Sequence, residues 1–139
     1  MKSISPYLNF NGNTEEAFNF YKSVFGGEFK AIQRFKDVPG TNVSEADADK
    51  IMHIALPIGA DVILMATDAL ESMGQHLVEG NNFYITIDTE SKEEADSLFA
   101  KLSEGGKSEL AMEKTFWNAY FGMFRDKFGI NWMIIFDLS

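Results

Sequence analysis

An internal repeat constrains the fold of this 139-residue chain more than any other feature of its sequence. Residues 14–21 (TEEAFNFY) are echoed by residues 92–99 (KEEADSLF), so that Glu16 and Ala17 recur 78 positions later as Glu94 and Ala95. Each copy has the spacing of an amphipathic helix, and each follows a short alternating run that is typical of a half-buried β-strand. A repeat of this length predicts two copies of one supersecondary unit.

Three further strand patterns follow each helix pattern, at residues 28–35, 50–56 and 61–66 and again at residues 108–113, 116–124 and 131–136. Ser91, with Glu94 three residues later, forms a capping-box pattern that predicts the start of the second helix. The predicted fold class is therefore α+β, with two βαβββ modules. We place the modules at residues 1–67 and 80–139, joined by a linker of residues 68–79, within a single domain of residues 1–139.

Composition excludes several classes of function. There is no cysteine, which removes disulfides, thiolate nucleophiles and Cys-ligated metal sites. Asp and Glu outnumber Lys and Arg by 21 to 12, and a net charge of −9 repels phosphate backbones and anionic lipid, so we expect neither nucleic acid nor membrane as a partner. No apolar run resembles a signal peptide or a membrane span, and we predict a cytoplasmic location.

Five segments carry a family resemblance: residues 5–13 (SPYLNFNGN), 50–56 (KIMHIAL), 115–117 (TFW), 121–123 (FGM) and 126–133 (DKFGINWM). With the repeated module, they make the chain resemble the PhnB-like branch of the vicinal-oxygen-chelate superfamily, which includes glyoxalase I, extradiol dioxygenases and bleomycin-resistance proteins. The resemblance implies curved mixed sheets around a central cavity, with the helices on the convex faces. It also implies a homodimer, since strand edges that are left unpaired need covering.

The same resemblance divides the strand residues between the two faces of each sheet. Leu8, Phe10, Phe83, Ile85 and Ile87 are expected under the helices. The expected ligand-binding residues, facing the cavity, are Ser5, Tyr7, Asn9, His53, Asn82, Tyr84, Trp117 and Phe121.

His53 is the only candidate base among these residues, because an imidazole titrates near neutrality, with an ordinary pKa of about 6.5. The alternative is a half-buried histidine that is satisfied by a neighbouring hydroxyl or carbonyl group. Trp117 and Phe121 share a parity on one predicted strand and are expected to form an aromatic wall, although large aromatics at such positions are often simply core.

The metalloenzymes of the superfamily bind their ion through His, Gln or Glu on the first and last strands of each module. Those positions correspond here to Ser5, approximately Leu64, Asn82 and approximately Met133, which are not typical ligands. We therefore predict no metal and no cofactor. An unusual site that combines His53 with Glu113, Asp68 or His76 stays open as an alternative.

The leading hypothesis is a protein that binds or sequesters a small, largely apolar or aromatic molecule without the usual metal. The alternative is a lyase, isomerase or dioxygenase-like enzyme that uses a non-standard metal site or His53 as base, and a filled interaction module is the third possibility. PhnB-like sequences are often labelled ubiquinone-pathway methyltransferases, but the chain has no glycine-rich strand–turn–helix pattern for the methyl donor.

Overall fold

The computed structural model describes residues 1–139 and divides the chain into two compact units, Met1–Val78 and Glu79–Ser139. The first unit contains β1 (Tyr7–Phe10), α1 (Thr14–Phe25), β2 (Ala31–Arg34), β3 (Ile51–Ile58) and β4 (Val62–Asp68), with short 3-10 turns at Phe35–Asp37 and Glu71–Met73. The second unit contains β5 (Ile85–Asp88), α2 (Lys92–Ser103), β6 (Lys107–Lys114), β7 (Ala119–Arg125) and β8 (Asn131–Asp137).

Both units have the same topology. The strand order is β1-β4-β3-β2 in the first sheet and β5-β8-β7-β6 in the second. In each sheet the first strand pairs in parallel with the last, and the other neighbours are antiparallel. The repeated βαβββ unit and the α+β class are therefore confirmed, and both helices keep the predicted spacing of 78 residues.

The core of the first unit lies between α1 and one face of its sheet. Phe18 of α1 is fully buried and packs edge-on against Phe10 of β1, with ring centroids 6.4 Å apart. Leu8, Phe10, Ile54, Leu56, Leu64 and Ala66 are the buried strand residues of this face. Leu8 and Phe10 thus lie under the helix, as predicted.

A buried carboxylate joins the start of α1 to the end of β4. Asp68 is almost fully buried, and one of its oxygens accepts hydrogen bonds from the backbone N–H of Thr14 at 3.1 Å and from its hydroxyl at 2.6 Å. The other oxygen accepts from the N–H of Ile51 at 2.8 Å. Since the first backbone N–H groups of a helix have no partner within it, Asp68 takes the place of a local N-cap side chain. Asn13, the residue at that position, makes no capping bond with its side chain.

The core of the second unit repeats the arrangement with different side chains. Phe99 of α2 packs edge-on against the buried Phe124 of β7 at 5.0 Å, and Trp132 and Ile134 of β8 are fully buried. The predicted cap of α2 is confirmed, because the Ser91 hydroxyl oxygen accepts from the N–H of Glu94 at 3.0 Å.

Several predicted boundaries are wrong. β5 begins at Ile85 rather than at Asn82, so Phe83 precedes the pairing with β8 and is 63% exposed instead of lying under the helix. β7 begins at Ala119 rather than at residue 116, because Asn118 adopts a φ of +63° and turns the chain before the strand.

Boundaries also shift in the first unit, where β2 covers Ala31–Arg34 rather than residues 28–35. β1 begins at Tyr7 rather than at Ser5, and β4 continues to Asp68, which pairs with Phe10. Neither helix has the length and apolar character that would let it cross a membrane.

Candidate functional site

Each sheet has one face under its helix and one face turned away from it. We call the latter the first open face, for the sheet of β1–β4, and the second open face, for the sheet of β5–β8. Strand alternation assigns each side chain to a face, because neighbours of a residue buried under the helix point the other way. Tyr7 and Asn9 thus lie on the first open face and Thr86 on the second.

Tyr7 and His53 meet on the first open face. Tyr7 lies on β1 opposite Met65 of β4, and His53 lies on β3, so the two side chains reach each other across β4. The Tyr7 hydroxyl lies 3.3 Å from Nδ1 of His53, and the rings are stacked with centroids 5.8 Å apart. Partial burial raises the pKa of the Tyr7 phenol, which keeps it protonated and able to donate.

The other two predicted residues of the first unit flank this pair. Ser5 precedes β1, and its hydroxyl oxygen accepts a 3.3 Å hydrogen bond from the N–H of Ile63, which holds the strand entry against β4. Asn9 is exposed and lies opposite Thr67. The structure therefore places Tyr7, Asn9 and His53 on one face.

The second open face carries a row of half-buried apolar side chains. Phe121 lies opposite Ile135, and Met123 lies opposite Met133, on the paired strands β7 and β8. Trp117, in the turn before β7, is 53% exposed, and its ring lies 5.9 Å from that of Phe121. The predicted aromatic pair thus exists, although Trp117 belongs to a turn and not to the strand.

Tyr84 crosses the second sheet at the other end of this row. It precedes Ile85 on the edge strand β5, and its hydroxyl donates a 2.6 Å hydrogen bond to Glu109 on the opposite edge strand, β6. This bond to the Glu109 carboxylate is the main cause that raises the pKa of Tyr84. Asn82 is exposed and precedes the strand.

Tyr7 and Tyr84 are equivalent residues of the two modules. Each stands directly before the first residue of its strand that packs under the helix, which is Leu8 in one unit and Ile85 in the other. Each extends across its open face to a side chain on another strand. The strand equivalence is 77 residues, one less than that of the helices, because four residues separate Ile87 from the start of α2 whereas three separate Phe10 from the start of α1.

Sequence reasoning missed several residues of the second open face. Met123 and Ile135 share the parity of Phe121 and Met133, so strict alternation along β7 and β8 could have found them. No local sequence pattern singles out Glu109, Arg125 or Asn131. Their partners lie in other strands or at the start of the unit, as the bond between Arg125 and Glu79 at 3.0 Å illustrates.

The positions that correspond to the superfamily's metal ligands do not fit a divalent ion. Leu64, predicted at one of them, is fully buried under α1, and its open-face neighbours Ile63 and Met65 offer no oxygen or imidazole. Ser5 bonds a backbone N–H, and Met133 offers a thioether that accepts a 3.7 Å contact from the Thr86 hydroxyl. We derive no reaction step through a metal at these positions.

The unusual metal site fits no better within the first unit. Asp68 lies under α1, on the opposite side of the sheet from His53, with both oxygens engaged. The chain contains no group of three or more His, Cys, Asp or Glu residues arranged to hold an ion. The absence of a metal in the functional protein stays a prediction.

A family model described as 3-demethylubiquinone-9 3-methyltransferase matches residues 2–135. Protein YjdN of Escherichia coli (strain K12) is 33% identical over 140 residues, which cover 94% of this chain and 92% of YjdN. The chain belongs to this PhnB-like family. The match spans both modules, so the predicted resemblance is confirmed across nearly the whole chain.

Solved structures agree with this family membership. Protein PA1353 from Pseudomonas aeruginosa is 39% identical, with a TM-score of 0.87 over 99% of this chain and 98% of its own. The PhnB protein from Bacillus cereus, at 24% identity, covers 96% and 98% with a TM-score of 0.77. A glyoxalase/bleomycin resistance protein/dioxygenase family enzyme from Burkholderia phytofirmans PsJN, at 18% identity, covers 96% and 97% with a TM-score of 0.64, which establishes a shared fold only.

Proposed function

We propose that this PhnB-like protein binds a small, largely apolar or aromatic molecule without the metal of its metalloenzyme relatives. The observation that carries the proposal is the half-exposed Trp117, which lies edge-on to Phe121 beside the paired Met123 and Met133. Exposed apolar side chains that adjoin one another mark binding surfaces more often than scattered ones do. Aromatic rings and methionine thioethers both make favourable contacts with a planar ligand.

The polar groups of the second open face support a ligand with little charge. Thr86 offers an exposed hydroxyl on this face, and the Tyr84 hydroxyl is engaged by Glu109. The positive charge of Arg125 is already directed to Glu79. A few polar groups beside an apolar surface are the usual composition of small-molecule sites, where they orient the ligand.

Tryptophan fluorescence tests the proposal directly, because the chain has only two tryptophans. Trp132 is fully buried and donates to Asp126 at 2.9 Å, whereas Trp117 is exposed. We expect 1,4-naphthoquinone and 1-naphthol to quench the Trp117 signal saturably. The Trp117→Phe variant, which retains only the buried Trp132, should lose most of that quenching.

A matched control separates binding from nonspecific adsorption. Phe83 is 63% exposed and lies outside the row, so Phe83→Ala should leave the affinities of the probes unchanged. Chelator-treated protein should bind as untreated protein does. Absence of saturable binding to any aromatic or quinone probe, in fluorescence and in native mass spectrometry, would contradict the proposal.

An enzyme is the second candidate, and the contact between Tyr7 and His53 favours it. With Nδ1 of His53 beside the Tyr7 hydroxyl, its Nε2 has no protein partner and is available to a substrate. When the Nδ1–H of His53 donates to the Tyr7 oxygen, Nε2 carries the lone pair of a candidate general base for a lyase or isomerase reaction, whereas Nε2 carries the proton when Nδ1 accepts. Loss of turnover in His53→Ala with ligand affinity retained would favour the enzyme, whereas parallel loss of both would favour a binding contact.

Methyl transfer, which the family description names, has less support. Methyl donors with an adenosyl group commonly bind where a glycine-rich turn joins a parallel strand to a helix. Here the strand–helix connections read Asn11-Gly12-Asn13 and Thr89-Glu90-Ser91, and each sheet has a single parallel pair. Calorimetry with S-adenosylmethionine checks this, and micromolar binding would reverse our preference.

We also propose a homodimer in the cytoplasm. The strands β1 and β2 are the edges of one sheet and β5 and β6 those of the other, and edge pairing or face packing between copies is a common way to cover them. The lack of cysteine fits a reducing compartment. Light scattering and cell fractionation test these two expectations.

A further inference from the structure

One buried side-chain polar atom has no hydrogen-bond partner, and it belongs to Asn131 at the start of β8. Its side-chain oxygen, Oδ1, is inaccessible and unpaired, while the residue as a whole is 6% exposed. A buried acceptor without a donor is costly, and native proteins leave few of them. Such an atom calls for a partner that the chain itself does not supply.

The orientation of the amide is set by its other end. Nδ2 of Asn131 donates a 3.0 Å hydrogen bond to the carbonyl oxygen of Gly80, which also accepts a 3.4 Å bond from Arg125. If the nitrogen and oxygen of the Asn131 amide were exchanged, its side-chain oxygen would face the carbonyl oxygen of Gly80, and both are acceptors. The nitrogen therefore faces Gly80, and Oδ1 is the unpaired atom. Glu79, bonded to Arg125, completes this polar end of the sheet.

Asn131 lies on the second open face at the end of the apolar row. It is two residues before Met133, and Trp132 between them is buried under the helix, so Asn131 and Met133 share a face. Residues two apart on a strand are roughly 7 Å apart. A bicyclic aromatic ring on the Met123–Met133 pair therefore brings a ring substituent within reach of Asn131.

Tyr84 lies across the approach to this amide. It directly precedes the pairing of Ile85 with Trp132, which puts it beside Asn131. Its hydrogen bond to Glu109 on the opposite edge strand means that the two side chains together span the face over β8 and β7.

We propose that Asn131 Oδ1 accepts a hydrogen bond from a ring N–H or O–H of the ligand, which enters as Tyr84 moves away from Glu109. The ligand class is then a planar aromatic molecule with a hydrogen-bond donor on the ring. This inference rests on the proposed function and makes it more specific. Asn131 is a specificity-determining residue, because an analogue without the donor leaves Oδ1 unpaired.

The test compares indole with benzofuran, which has the same shape but an oxygen in place of the N–H. Calorimetry on the wild-type chain should show indole binding about tenfold more tightly than benzofuran, as expected for one hydrogen bond to a buried acceptor. In Asn131→Leu the two affinities should become equal. In Tyr84→Phe, which lacks the bond to Glu109 but keeps Asn131, indole should bind about threefold more tightly and the preference for indole should persist.

Each outcome bears on the inference. Equal binding of both probes to the wild-type chain, or an undiminished preference in Asn131→Leu, overturns it while leaving the proposed function intact. If neither probe binds at millimolar concentration but 1-naphthol does, the indole-sized site is rejected and the broader proposal stands. If Asn131→Leu does not fold, a crystal of the indole complex decides the matter, and a ring N–H within hydrogen-bond distance of Oδ1 supports the inference. An ordered water on Oδ1 in a crystal of the indole complex overturns the inference.

Discussion

The Tyr7 hydroxyl and Nδ1 of His53 lie 3.3 Å apart across one intervening strand, and in the second module Tyr84 bonds Glu109 across two. In both modules a tyrosine at or just before the start of the first strand extends over the face that the helix leaves open. The partners differ, since one is an imidazole and the other a carboxylate. The duplicated fold therefore presents two related faces with different hydrogen-bonding chemistry.

The Asp68 carboxylate should be among the most important groups for stability. Asp68→Ala leaves the hydroxyl and N–H of Thr14 and the N–H of Ile51 without their acceptor, and we expect a loss of about 2–5 kcal/mol in the free energy of unfolding. Urea denaturation measures it. Asp61→Ala, at an exposed turn, is the control and should change stability by less than about 0.5 kcal/mol. Similar values for the two variants would contradict the capping role.

The close packing at Gly122 should exclude any side chain. A Cβ at this position would lie 2.6 Å from Sδ of Met112 and 2.9 Å from Cε2 of Phe99, so Gly122→Ala should destabilise the chain by about 1–3 kcal/mol. Gly80→Ala is the matched control, because no atom lies within 4 Å of its Cβ position. Thermal melting of both variants checks the difference, and an unchanged melting temperature for Gly122→Ala would show that α2 adjusts freely.

The Ser91 cap should contribute about 1 kcal/mol. Ser91→Ala removes the acceptor of the Glu94 N–H at the start of α2, whereas Ser97→Ala, at an exposed position within the same helix, should be neutral or slightly stabilising. Chemical denaturation of the pair provides the measurement. A smaller loss for Ser91→Ala than for Ser97→Ala would refute the assignment.

The ion pair of Glu15 and Arg34 should make a small, pH-dependent contribution. A bidentate hydrogen bond from Arg34 holds the pKa of Glu15 below its ordinary value, so the stabilisation is present above the unfolded pKa and is lost as pH falls through the folded one. Because the pair is partly exposed and screened, we expect at most about 1 kcal/mol at pH 7. The gap in stability between the wild-type chain and Glu15→Gln should close as pH falls through the lowered folded pKa of Glu15, and a gap that persists in acid would mean that charge is not its cause.

Tyrosine side chains should ionise at higher pH in the folded chain than in the unfolded one. Burial raises the pKa of Tyr7, and carboxylate hydrogen bonds raise the pKa of Tyr84 and Tyr120. A raised folded pKa means that the stabilisation is present below the unfolded pKa and is lost as pH rises through the folded one. Absorbance at high pH, in buffer and in urea, measures both titrations, and coinciding midpoints would contradict the assignment.

The sequence by itself determined the repeated unit, the helices and most of the buried positions. The periodicity of apolar residues is a local property of the sequence. Once the helix has a sheet face to pack against, this periodicity accounts for the burial of Phe18 in α1 and of Trp132 in β8. The cap at Ser91 was predictable for the same reason, since donor and acceptor lie three residues apart. The family resemblance assigned Tyr7 and Tyr84 to the faces on which they are found.

Only the tertiary structure decided which distant groups meet. Asp68 caps a helix that begins 54 residues earlier, and Tyr84 bonds a residue across the whole sheet. These contacts depend on strand register, which long-range packing sets and no local pattern encodes. The sequence assigned Phe83 to the wrong environment because β5 begins two residues after it. It assigned Leu64 to the wrong face because a shift of one residue along a strand reverses the face of a side chain. The unpaired oxygen of Asn131 arises for the same reason, since it depends on where residues 79 and 80 cross the end of β8.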